Sequence, residues 1–503
     1  MIINDIYNAY TDWGSPLDWQ RIYDKMMEHA AWYSGDPLFL REFYAGHPGW
    51  YWARANKDHK KAIHVPVPAA LAQLSGDLIM GEPPTWCIKE AKQEESNPLL
   101  QVEQEKLLDM IEQCDVNARL LEAFEMAAAL GGVFLKPIWD KELSEYPILT
   151  VTPPENAVPV FRNGLLMSVI FYKRVREITP GQYLWLIEKY DHQGNILSSA
   201  HIGTSTQLGQ EVPLTQYEET AYIQPQVHTG WKGVACRYLP NRLPNRQFRG
   251  LGLGMSDFAG LETLFDALDE VYGSWLRDIR LAKSRIHVPE TMIDFDEMGN
   301  SAFDVDGEVY VKLQGVTAFD VNSLTATQFN IRCQEHEQTA INLIRQIITI
   351  AGYSPSSFGL MGDQAAVTAT EISARERKSL MLATKKKRLA KKAIVDMIHI
   401  MRTIANTHLG AAYDLTTTVD LEFSDSIETD MSQLSAVVNQ LQQAKALSIE
   451  TAVRWLNPTW SESQIKEEVE RIKQENGMAL TDPEVLGLAS FSETMPEMQM
   501  VSE

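Results

Sequence analysis

Between Met255 and Arg285, apolar residues recur at Phe258, Leu261, Phe265, Leu268, Tyr272, Trp275 and Ile279. Steps of three and four place them on one stripe of a long helix. Ser256 reads as its N-cap, after chain-breaking Gly250, Gly252 and Gly254. Acids crowd its first half (Asp257, Glu262, Asp266, Asp269, Glu270) and bases its last turns (Arg277, Arg280, Lys283, Arg285), the order a helix dipole favours. Helical throughout, the stretch would extend roughly 46 Å. A second spine runs through Phe329, Cys333, His336, Ala340, Leu343, Ile347 and Ala351, opened by a capping box at Thr325 and Gln328. The acidic, strand-like insert between them makes the pattern two long antiparallel helices with a compact tip. A third long helix follows, with a capping box at Thr368 and Glu371 and apolar Ile394, Met397, Ile398, Met401 and Ile404 before Gly410.

Upstream, the pattern predicts helices over Asp18 to Trp32, Pro68 to Met80, Leu99 to Ile111 and Ala118 to Leu130, the last stopped by Gly131 and Gly132. From Val133 to about Tyr238, β-branched and aromatic runs such as VFLKPIW, LLMSVIFYKRV and YLWLIEKYD predict strands with turns between them. Leu415 to Phe423 reads as one more strand. Helices are expected over Asp430 to Leu447, Ser448 to Leu456 and Ser461 to Asn476. The class is α+β.

Composition narrows the function classes. At 45% hydrophobic residues over 503, the chain can build several cores. A formal charge of -22 argues against a simple basic nucleic-acid binder, although an acidic wall lets a polyanion slide without sticking. Cys87, Cys114, Cys236 and Cys333 lie far apart and form no CxxC pair, so free thiols are expected. The opening MIINDIYNAYTDW lacks the basic and apolar regions of a signal peptide, and no run of 18 apolar residues occurs. Cytoplasmic synthesis and no membrane span are the expectation.

Enzyme motifs are missing. GxxxxGK[ST], GxSxG and HExxH do not occur. RGLGLGMSDF is not GxGxxG, and reads as a flexible hinge before the first long helix. His336 on its helix face reads as a satisfied core histidine. No cofactor and no metal are expected: DFDEMGNSAFDVDGE departs from calcium-loop spacing. The N-terminal aromatics, among them Trp19, Trp32, Tyr44 and Trp52, read as packing and interface anchors; a soluble carbohydrate-active or other hydrolytic enzyme is the alternative they keep open. One charge anomaly stands out. From Arg375 to Lys392 nine bases face one acid, Glu376, and Lys385, Lys386, Lys387, Arg388, Lys391 and Lys392 are candidates for contact with DNA phosphates or with acids of a neighbouring subunit.

The order of long helix, acidic tip, returning helix, apolar loop GYSPSSFGLMGDQAA and third helix resembles the portal proteins of tailed bacteriophages, of the long-tailed, non-contractile kind. WYSGDPLFL, the helix running into Gly81-Glu82-Pro83-Pro84, and the paired helices around Asn457-Pro458 resemble the same family. The resemblance implies a portal-type fold. Residues 1–254 would be a mixed wing, 255–285 and 325–351 the antiparallel stem helices, and 286–324 a small α/β clip. Residues 352–366 would be the tunnel loop, 367–410 a long wing and tunnel helix, and 411–429 a wing strand. Residues 430–477 would be a helical crown and 478–503 an acidic tail. It further implies a homo-oligomeric ring, usually of twelve, at one capsid vertex of a virion assembled in the host cytoplasm. Double-stranded DNA would be packaged and ejected through the ring. Terminase, major capsid protein, scaffold and head-completion or adaptor proteins would be its partners. In that reading the loop residues Tyr353, Ser354, Pro355, Ser356, Ser357, Phe358, Gly359, Leu360, Met361, Gly362, Asp363 and Gln364 meet the channel. Glu290, Asp294, Asp296, Glu297, Asp304, Asp306 and Glu308 dock partners on the clip.

Overall fold

The computed structural model describes residues 2–10, 19–55, 62–90, 97–282, 285–289, 310–313, 325–327, 330–360, 369–423, 431–444, 446–457, 460 and 462–475. The chain divides into two units, 1–426 and 427–503.

In the first unit, helices α1 (Ile2–Tyr10), α2 (Trp19–Ser34), α3 (Pro37–Tyr44), α4 (Tyr51–Ala55) and α5 (Val67–Met80) precede strand β1 (Thr85–Ile88). Helices α6 (Pro98–Gln113) and α7 (Val116–Leu130) follow. Asp36 and Asn97 cap α3 and α6 by accepting backbone N–H groups, and a proline occupies the first turn of each. The strand-rich stretch forms two sheets. Strands β4 (Ala157–Arg162), β5 (Leu165–Thr179), β6 (Gln182–Tyr190), β7 (Asn195–Gly203) and β8 (Gln210–Val212) pair in chain order, and β9 (Gln226–His228) joins β7. Strands β2 (Gly132–Ile138), β3 (Ile148–Thr152) and β10 (Arg237–Pro240) form a three-stranded sheet with β2 central. The short α8 (Glu218–Ala221) lies in a connection between strands.

The long helices are shorter than their sequence pattern. Helix α9 runs from Glu262 to Leu281, not from Met255 to Arg285. Gly260, with φ +85°, ends a tight turn before it, and Arg285–Pro289 leaves the helix as strand β11. Strand β12 (Tyr310–Leu313) pairs parallel with β11, and β13 (Thr325–Thr327) pairs antiparallel with it. Thr325 is therefore a strand residue rather than a helix cap, as suits a β-branched position beside a paired edge. Helix α10 starts at Cys333 and ends at Ala351, where Gly352 turns left-handed with φ +105°. Helices α9 and α10 are antiparallel. Arg332 and His336 at the start of α10 meet Asp278 near the end of α9, at 2.8 and 3.0 Å. His336 also stacks on Trp275, as a satisfied histidine does.

Helix α11 spans Ala369–Ile404, continues in a wide turn at Ala405–Leu409, and stops at left-handed Gly410. Strand β14 (Val419–Glu422) then returns to pair with β1. Two cores meet along α7. One packs α6 and α7 against β2 and the second half of α11, through Leu107, Phe124, Phe134, Ile394 and Met401. The other packs α2 to α5 against α9 and α10, through Trp32, Trp52, Leu71, Phe265 and Ile347. In the second unit, α12 (Met431–Gln443), α13 (Ile449–Leu456) and α14 (Glu462–Glu475) carry a small core of Val453, Ile465 and Val469.

Candidate functional site

The two cores share a buried polar node at Asp257, in the turn leading into α9. Its side chain is wholly buried. One carboxylate oxygen accepts from Lys386 Nζ at 2.6 Å and from the Tyr353 hydroxyl at 2.7 Å. The other accepts from Asn241 Nδ2 at 2.8 Å and faces Arg242 Nε at 3.0 Å. Lys386 completes its shell on the hydroxyls of Ser75 (2.7 Å) and Tyr353 (3.0 Å). Arg242 donates to the carbonyls of Ala351 and Ser256, both at 2.9 Å. The Asp257 N–H bonds the Ala128 carbonyl. Asp257 and the groups bonded to it thus tie together α5 (through Lys386), the end of α7 (through the Asp257 N–H), the segment after β10, the residues that follow α10 and the middle of α11.

Glycine makes this convergence possible. A Cβ on Gly254 would lie 2.1 Å from the Gly131 carbonyl oxygen, closer than any atom pair tolerates. Gly131 itself ends α7 at φ +94°. The glycine run before α9 is thus a site of close backbone crossing with buried Leu253 and Met255, not the flexible hinge its spacing suggests.

The electrostatics follow from burial and pairing. Burial pushes the Asp257 carboxyl up, but Lys386 and then Arg242 outweigh it and hold the group below the usual carboxylate range. Burial brings the Lys386 ammonium down to about 8, against the pull of Asp257. Burial and then the Asp257 charge raise the Tyr353 hydroxyl well above its ordinary value, so it remains a donor.

A second set of acids lines the buried face of α9. Glu262 accepts from Lys25 at 3.0 Å and pairs with His29 at 3.1 Å. Asp266 accepts the Tyr51 N–H, and Asp269 accepts from Trp52 Nε1, His64 Nδ1 and the Val65 N–H. The sequence pattern assigns these acids to the helix dipole. Their spacing carried the missed signal: Glu262, Asp266 and Asp269 step by four and three beside Phe265 and Leu268, on the stripe that packs.

The structure separates the predicted site residues. Tyr353 and Ser354, expected at the channel, are buried at 1% and 7% exposure. They root the loop instead: the Ser354 N–H bonds Ser379 Oγ on α11, and Ser357 Oγ lies 3.0 Å from the same hydroxyl. Pro355 to Phe358 form one tight helical turn, and Phe358 and Leu360 pack against the core of α9 and α10. Gly359 is exposed. Met361, Gly362, Asp363 and Gln364 lie outside the described residues, as do Glu290, Asp294, Asp296, Glu297, Asp304, Asp306 and Glu308.

Of the basic residues, Lys386 is corrected outright. At 2% exposure and bonded to Asp257, it reaches neither DNA nor a neighbour. Lys391 pairs with Asp420 at 2.9 Å, and Lys387 sits over the Phe423 ring. Lys385, Arg388 and Lys392 are exposed. Trp32, Trp52 and Tyr44 are buried and hydrogen-bonded within the chain, so they offer no stacking face to a sugar. Among the described residues, one group gathers possible metal ligands, Cys87 with Asp420 and Glu422 across β1 and β14. Asp420 there is the partner of Lys391.

The profile of phage portal proteins of the SPP1 Gp6-like kind matches residues 18–482. The chain belongs to that portal family. No curated protein matches this portal protein. Similar solved structures include the neck of a native gene transfer agent particle computed with C12 symmetry, at 12% identity, TM-score 0.40, covering 78% of this chain and 89% of that one. The neck of an empty particle computed with C6 symmetry follows at 11% identity and TM-score 0.38, covering 81% and 90%. A chain from the virion of a native gene transfer agent particle has 10% identity and TM-score 0.38, covering 93% and 98%. Among the described residues, no helix of the portal protein is long and apolar enough to cross a membrane.

Proposed function

We propose that the chain is the subunit of a closed ring, most simply of twelve, at one vertex of a virion capsid. Double-stranded DNA is packaged and ejected through its bore. The observation that carries this reading is the family match, which spans nearly the whole chain. In this reading α9 and α10 are the stem, the β11 to β13 sheet belongs to the clip, and residues 352–366 are the tunnel loop. The body up to 254 is the wing, and α12 to α14 are the crown. The terminase motor docks on the clip during filling, and head-completion or adaptor proteins replace it; capsid protein and scaffold contact the wing. The Asp257 node then has a mechanical task. It clamps the loop's root to the stem base and to α11, so the loop starts from a fixed anchor. No step of this reading calls for catalysis.

Native mass spectrometry of the purified full-length chain, with negative-stain images, tests the proposal. Twelve chains of 56.8 kDa make about 680 kDa, and closed symmetry demands one discrete mass and a central hole. A monomer that cleaves members of a glycan panel refutes it in favour of the hydrolase alternative.

A further inference from the structure

The exposed side of α11 lies directly opposite its buried stripe of Ser379, Ala383, Lys386, Ala390 and Ile394. It carries Arg377, Met381, Lys385, Arg388 and Lys392, all exposed, at steps of four, four, three and four. Among the described residues none of these cations forms an ion pair. Like charges three and four apart weaken an isolated helix, so the stripe gains from an external anion. Helix α6 carries the complement. Opposite its buried Leu107, Met110 and Ile111 it exposes Glu105, Asp109 and Glu112, at steps of four and three, and these too form no ion pair among the described residues. Exposed Val102 (47%) and Leu108 (45%) flank the acids, as Met381 (53%) lies beside the bases. Read in opposite directions, the two stripes have the same spacing, about 4.5 Å and then 6 Å along each helix.

We propose that the α11 stripe docks antiparallel on α6 of a neighbouring copy of this chain, setting Lys385 against Glu112, Arg388 against Asp109 and Lys392 against Glu105. The proposal rests on the ring reading above and names two faces of one of its interfaces. The two patches differ, so the contact is heterologous, as a closed ring requires. A chain of charge -22 repels its copies, and this stripe concentrates the cations that offset that repulsion. The flanking apolar side chains suit a protein face better than a phosphate backbone.

Two charge-reversed full-length variants test it: K385E/R388E/K392E and E105K/D109K/E112K. Each alone presents like charges on both faces and should lose about tenfold or more of its assembled fraction near 0.15 M salt. Mixed, they should co-assemble in equal numbers, read by native mass spectrometry with one variant isotope-labelled. The neutral set K385Q/R388Q/K392Q, milder for folding, should lower assembly and its salt dependence in the same direction. Circular dichroism establishes that each variant is folded. Assembly of either reversed variant alone at the wild-type level overturns the pairing, and so does failure of the folded pair to co-assemble. Wild-type rings that persist in the cation-reversed variant but retain less DNA overturn it in favour of a DNA face. A wild-type chain of open, non-discrete mass removes the ring reading, and co-assembly of the reversed pair then still upholds the contact.

Discussion

Asp257→Asn probes the node with almost no change of shape. Among the described residues, the carboxylate is the one anion paired with Lys386 and Arg242, at 2.6 and 3.0 Å. The amide keeps one acceptor and turns a donor toward groups that are donors already. Removing one partner of a buried ion pair costs about 3–5 kcal/mol, because the other charge stays buried without compensation. Asn retains part of the hydrogen bonding, so about 3 kcal/mol is expected, roughly a hundredfold in a local opening equilibrium. Hydrogen–deuterium exchange with mass spectrometry suits a chain of two units, for which one global unfolding energy is ill defined. Faster exchange should appear together in four segments distant in sequence: the end of α7, 237–257, the end of α10 with 352–357, and α11 around Lys386. Lys386→Met alone leaves Asp257 with Arg242, Asn241 and Tyr353, and should cost about 1–3 kcal/mol. The double variant removes both charges and should fall short of the sum by at least about 1 kcal/mol. Exchange that quickens only beside the substituted residue, or strict additivity, would refute the idea that Asp257 and its partners hold these segments together.

Three further outcomes are expected. Gly254→Ala places a methyl 2.1 Å from the Gly131 oxygen, so the crossing must open. A loss of about 3 kcal/mol or more should show as poor soluble yield or a much lower melting temperature, whereas a melt unchanged from wild type would contradict the packing. Glu262 tests pH dependence. Burial raises its pKa, but the hydrogen bond and charge of His29, and then Lys25, bring it down to about 2. Its folded value lies below the ordinary 4.5, so its stabilisation is present above about pH 4.5 and is lost as pH falls toward 2. Glu262→Gln should flatten that part of the acid-melting profile, and an unchanged slope would count against the pairing. Tyr353→Phe deletes one donor to Asp257 and leaves the ring packed. It should cost about 1–2 kcal/mol, seen as faster exchange in 352–357 while α6 is unaffected.

Much of this molecule could be read along the chain. Helices α2, α5, α6 and α7 and the three of the second unit fall within a few residues of their periodic patterns, because local spacing and caps decide where a helix can form. The order of long helices around an acidic tip carried the family, which the profile match then established. The ends of α9 and the start of α10 were not legible, although α10 stops at Ala351 as its pattern reads. Met255 to Leu261 fits the helical period as well as the residues after it, yet those residues are held by Ala128, Asn241 and Arg242, distant in sequence. Thr325 fits a cap, but β11 supplies a strand to pair with. Lys386 shows the limit most plainly. In the run KKKR it is one base among four. Helix geometry turns it to the buried face while Lys385 and Arg388 turn away, and folding brings Asp257 to meet it from 129 positions upstream. Composition and periodicity are sums over neighbours and can name a class of protein. Which charge is buried, and against which partner, depends on a contact between residues that the chain separates, so it is settled only when the elements pack.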